Sequence, residues 1–105
     1  MREMSKAERK AARERLNAYY LRKQQELLAP VIEAIDRYRR GEIDAWEMDY
    51  IIHVYHRQSQ ELYSFAGDVS GGQLGMMIYI IEREEENPEE NSWRPKAQYR
   101  KPEAR

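Results

Sequence analysis

Residues 44–66, DAWEMDYIIHVYHRQSQELYSFA, decide the fold, because they read as one long helix with apolar side chains on two faces. Gly41 breaks what precedes the stretch, and Asp44 with Glu47 has the spacing of a capping box, Asp standing in for Ser or Thr. Gly67 sits where a left-handed cap would close the far end. At about 100° per residue, Met48, Ile51, Ile52, Tyr55, Leu62 and Ala66 gather on one side, with Val54 and Phe65 at its margin. Trp46, Tyr50, His53 and Arg57 form a second ridge, two of whose members are large aromatics that call for cover.

Working outward, residues 5–28 read as a first helix that opens on charge and alanine and gains Leu16, Tyr19, Tyr20, Leu27 and Leu28 only later. Pro30 interrupts that pattern or opens a new helix, because it has no N–H to donate and restricts Ala29. Val31, Ile32, Ile35 and Tyr38 then repeat at helical spacing up to Arg39, Arg40 and Gly41. The short connection at 41–43 favours antiparallel neighbours.

After residue 66 comes AGDVSGGQLG, the one glycine-rich stretch. Its spacing fits neither a dinucleotide fingerprint nor a P-loop, and it reads as a turn with Asp68 or Ser70 capping the next helix. Residues 73–86 continue helically and are apolar in every direction from Met76 to Ile81, so the segment needs cover on all sides. The fold expected is all-α, a small bundle of three to four helices with antiparallel neighbours, completed as a homodimer. Residues 1–15 form a charged, protruding start, 16–87 the bundle, and 88–105 an extended or disordered arm anchored by Trp93 and Tyr99.

Composition narrows the function classes. The chain has 105 residues, 35% of them charged, and no cysteine, so disulfides, thiolate metal sites and a nucleophilic cysteine are excluded. No apolar run follows the basic start MREMSKAERKAARER, and the longest apolar run, 76–81, is too short for a bilayer, so a cytoplasmic location without membrane contact is expected. The net charge of −1 hides segregation: residues 1–23 carry eight basic and three acidic groups, 24–93 five basic and fifteen acidic, and 94–105 five basic and one acidic. The basic ends are expected to lie against the acidic middle of the same or a neighbouring chain. The alternative is nucleic-acid binding through Arg9, Lys10, Arg13, Arg15, Arg22 and Lys23, which the acidic middle disfavours.

Three site readings follow. Trp46, Tyr50, Met76, Met77 and Tyr79 are the expected self-association surface of a non-catalytic interaction or regulatory module, with a second copy or another protein as partner. Asp49, His53 and His56, spaced i, i+4, i+7, are the alternative: a carboxylate and two imidazoles that would hold a divalent transition metal, in a chain otherwise expected to need no cofactor. Acid–base catalysis by the same residues lacks a pocket, and Ser59, Ser64 and Ser70 lack the context of a nucleophile.

Overall fold

The computed structural model describes residues 4–90 and 93–100, so residues 91–92 and 101–105 of the expected arm lie outside the described residues. The chain folds into three packed helices, with no strand among the described residues: α1 (Lys6–Arg39), α2 (Ala45–Leu62) and α3 (Leu74–Glu86). No described helix is long and apolar enough to cross a membrane. At about 1.5 Å per residue the 34 residues of α1 span about 51 Å and set the long dimension of the 57 × 22 × 21 Å molecule.

Pro30 does not divide α1, contrary to the sequence expectation of an interruption there. Its missing N–H frees one carbonyl on the exposed turn at Glu26, where water can serve it. The residues on either side, Leu27 and Ala34, are both buried on one continuous face. Packing along that face outweighs the proline's local penalty. The start of α1 is equally ordered: Ser5 and Glu8 form a capping box, and Ala12 and Leu16 are already in the core, so the first turns do not merely protrude.

The left-handed glycine falls at Gly41 rather than Gly67. The Gly41 N–H donates to the Tyr38 carbonyl and the Glu42 N–H to that of Arg37, the paired bonds of a Schellman motif. Its φ is +76° and a Cβ there would meet nothing within 4 Å. Gly41→Ala should therefore cost about 1 kcal/mol from backbone conformation alone, read as a lower urea midpoint with an unchanged slope. Gly67 instead ends a π-helical turn, Tyr63–Gly67, that extends α2, and it matters for closeness: a Cβ would lie 2.6 Å from Tyr63 Cδ2 and 2.9 Å from Tyr20 Cε2.

Asp44 caps α2 as expected, accepting from the Glu47 N–H at 2.8 Å. Neither Asp68 nor Ser70 caps α3 through its side chain: Ser70 precedes a short 3-10 turn, Gly71–Gln73, and α3 starts from Gln73. Gln24 on α1 donates to Tyr55 and Ser59 on α2, which fixes the two helices as an antiparallel hairpin. The core runs through Leu16, Tyr19, Leu62, Ala66, Leu74, Met77 and Ile81. On α2 the buried line is Val54, Gln58 and Leu62, so the helix is turned toward what the sequence pattern makes the margin, and Ile52 is left outside. Burying Gln58 in place of Ile52 needs a reason, and residues 93–100 supply it.

Candidate functional site

Residues 93–100 lie extended along α2, in the groove it forms with α1 on the same side as α3. Exposure alternates along this arm: Trp93, Pro95, Ala97 and Tyr99 are half-buried, and Arg94, Lys96, Gln98 and Arg100 are exposed. The Trp93 ring stacks on Phe65, with centroids 5.9 Å apart and planes 22° from parallel. The Glu61 carboxylate accepts the successive N–H groups of Lys96 (2.8 Å) and Ala97 (3.0 Å). Gln58 donates to the Ala97 carbonyl at 2.8 Å, and Tyr50 Oη accepts the Arg100 N–H at 2.8 Å. Burial pushes the Tyr99 phenol up from its ordinary pKa, and its hydroxyl is buried with no hydrogen-bond partner among the described residues.

A second polar cluster joins α1 to α3. Lys23, with 3% of its surface exposed, is ion-paired to Glu84 and lies 3.5 Å from Glu26, while Tyr19 donates to Glu84 at 2.7 Å. Burial opposes ionisation of Glu84, but the bonds from Lys23 and Tyr19 outweigh it and hold the carboxyl below its usual range. Burial and the Glu84 hydrogen bond push the Tyr19 phenol up. Arg15 completes the seam with Glu82 (3.0 Å) and Glu85 (2.8 Å). Here the basic first helix lies against the acidic end of α3 of the same chain.

That placement bears on the six cations of the nucleic-acid alternative. Lys23 and Arg15 pair with α3, Arg13 donates to the Val69 carbonyl at 2.7 Å, and Arg9 to the Met4 carbonyl at 3.1 Å. Arg22 lies over the Tyr19 ring, and Lys10 is exposed. They do not make one outward-facing basic surface.

Asp49 and His53 meet on the outside of α2 at 3.3 Å, both exposed, as their i, i+4 spacing requires. Among the described residues no group of three or more His, Cys, Asp or Glu is placed to hold a metal ion, so His56 does not close a set with them. The five residues of the expected association surface separate. Met77 is in the core and Tyr50 lies under the arm, whereas Trp46 on α2 and Met76 and Tyr79 on α3 are exposed on different helices.

A longer apolar surface lies on the far side of the α1–α2 hairpin. Leu21 (53% exposed), Ile32 (59%) and Ile35 on α1 lie roughly opposite the buried line Leu16, Tyr19, Lys23, Ala34. Ile52 (47%) and Tyr63 (53%), on α2 and its π-helical extension, face the same way, on the side away from α3 and the arm. No family model matches the chain, and no curated protein or solved structure shows significant similarity to it.

An extended arm with Trp93 and Tyr99 as anchors is expected from sequence; its one-sided alternation and the exposed stripe of the hairpin are not. The alternation Trp93, Pro95, Ala97, Tyr99 was a legible signal of an extended, one-sided segment. The exposed stripe was not: Leu21, Ile32 and Ile35 have the spacing of core residues, and sequence does not say which sides of a helix find a neighbour.

Proposed function

We propose that this chain is a non-catalytic helical interaction module that self-associates face to face through the far side of the α1–α2 hairpin. The observation that carries the reading is the composition of that side. Between the levels of Leu21 and Ile35 it presents Leu21, Gln24, Gln25, Leu28, Ile32 and Ile35 on α1, and Met48, Ile52, Tyr55, His56, Ser59 and Tyr63 along α2. None of these is Asp, Glu, Lys or Arg, in a chain of which those four make up 35%. Charge depletion at the centre of an apolar surface is what distinguishes an interface from ordinary protein surface.

The surface is also self-complementary. Because α1 and α2 are antiparallel, a twofold axis parallel to them sets α1 of one copy over α2 of the other, again antiparallel. Ile32 then comes to the level of Met48 and Ile52 of the second copy, and Leu21 to that of Ser59 and Tyr63, which makes a four-helix arrangement. This replaces Trp46 and the outer face of α3 as the centre of association.

Ile32→Asp together with Ile52→Asp tests it, both residues being exposed enough to change without disturbing the fold. Light scattering should give twice the chain mass for the wild type and the single mass for the variant, at equal helical content by circular dichroism. A wild type that stays monomeric at high micromolar concentration would end the reading.

A further inference from the structure

We propose that the cleft between the C-terminal half of α2 and the start of the arm is a binding site for a small aromatic phosphate monoester. Three cations line it. Arg57 comes from α2, and Arg94 and Lys96 come from the arm, whose alternation sets both on its outward side, about 6.6 Å apart along the chain. All three are exposed, and none of their side chains has an ion-pair or hydrogen-bond partner among the described residues. Elsewhere Arg15, Lys23 and Arg40 each lie against a glutamate.

Glu61 is the one carboxylate that lines this cleft, and each of its oxygens accepts a main-chain N–H, from Lys96 and from Ala97. It holds the arm in place. Three cations against one carboxylate still leave two positive charges in excess, in a chain whose net charge is −1. Docking the arm brings Arg94 and Lys96 to Arg57, and like charges brought together repel. An anion seated among them turns that repulsion into attraction. Because the cations come from both α2 and the arm, such an anion binds the docked arm alone, so binding and docking reinforce each other.

The ligand's chemistry follows from the donors and the wall. Two guanidinium groups offer planar forks that match phosphate oxygens, and the Lys96 ammonium adds a third point of charge. Gln60 and Ser64, spaced i+3 and i+7 from Arg57 on the same side of α2, supply an amide and a hydroxyl. Two positive charges in excess suit the dianion of a phosphate monoester better than a single carboxylate. The stacked pair Phe65 and Trp93 gives a planar ring an apolar wall to lie against. The cleft's volume of about 690 Å³ is of the size that small ligands occupy. The site does not depend on self-association, since the arm lies on the opposite side of the hairpin from Ile32 and Ile52.

Titration calorimetry of the full-length chain with phenyl phosphate tests the site, with inorganic phosphate and phenol as the two halves of the probe. Phenyl phosphate should bind saturably, one per chain, and less tightly as salt is raised. Inorganic phosphate should bind about tenfold more weakly, the worth of one aromatic contact. Arg57→Gln and Lys96→Gln, at exposed positions, should each weaken binding by at least about tenfold, the worth of one charge-assisted hydrogen bond. Arg100→Gln makes the same change of charge four residues further along the arm and should leave binding unaltered. The Lys96 and Ala97 amides, held by Glu61, should exchange their hydrogens more slowly in saturating phenyl phosphate. The absence of saturable binding at millimolar phenyl phosphate overturns the proposal. An equal loss on Arg100→Gln also overturns it, because the attraction would then be diffuse, and so does binding that leaves the two amides unchanged. Inorganic phosphate or phenol binding as tightly as phenyl phosphate overturns the ligand assigned.

Discussion

Glu84→Gln should lower the unfolding free energy at pH 7 by about 3 kcal/mol, the usual cost of removing one partner of a buried ion pair. Lys23 is 3% exposed and has Glu84 as its buried partner, Glu26 being largely exposed at 3.5 Å. The loss comes less from the missing attraction than from the ammonium left in a site that water does not reach. Exchanging the whole cluster for apolar groups, Lys23→Met with Glu84→Leu and Tyr19→Phe, should recover most of the loss, because no desolvated charge remains. Urea unfolding of the two variants separates the effects, and a Glu84→Gln change of under 1 kcal/mol would mean that Lys23 finds water or another carboxylate.

The same residue sets an acid limit. The Glu84 carboxyl is held below its ordinary value of 4.5, so its contribution is complete above that value and is lost as pH falls through the lower, folded-state one. The stability difference between wild type and Glu84→Gln should therefore be constant near neutrality and shrink below about pH 4. A difference that grew in acid would have the wrong sign for a carboxylate stabilised by its ion pair.

What could be read in the sequence was whatever local chemistry fixes. Asp44 and Glu47 announced the start of α2, and the basic first helix and acidic end of α3 announced their contact, which the structure makes through Arg15, Lys23, Glu82, Glu84 and Glu85. Pro30 misled because a local penalty was weighed without the burial of Leu27 and Ala34 on either side of it. Gly67 misled for a related reason: two tyrosine rings, one of them 47 residues earlier in the chain at Tyr20, determine why it is glycine.

The candidate sites were less legible because both depend on which faces meet. Gln58 reads as a polar residue on an amphipathic helix until the arm is seen to need a donor there. Tyr50 reads as one of two aromatics that call for a partner's cover until its hydroxyl is found accepting from Arg100 of the same chain. The wholly apolar run 76–81 was read as requiring a second copy, yet Met77 and Ile81 are buried by the chain's own core, while Met76 and Tyr79 stay outside. The surface with the better claim to a partner uses residues whose period alone made them look like core.

That distinction between core and uncovered face sets up the second large effect, Leu62→Ala. Leu62 is 0% exposed, at the end of α2 in the core that α1, α2 and α3 share. Removing three of its carbons forfeits their transfer free energy and leaves a cavity that Ala66 is too small to fill and that the rigid ring of Tyr19 closes poorly, for a cost of about 3–4 kcal/mol. In a chain of this size that is a large part of the total, and the melting temperature should fall by more than about 10 °C. Leu21→Ala removes the same atoms from a site 53% exposed, and the monomer should lose well under 1 kcal/mol. The pair of leucines thus divides folding from association. Leu62→Ala should shift the unfolding midpoint at every protein concentration, whereas Leu21→Ala should shift it chiefly where the wild type is dimeric. If Leu21→Ala were as costly as Leu62→Ala in dilute solution, where only monomer is present, the far side of the hairpin would be stabilising the single chain itself.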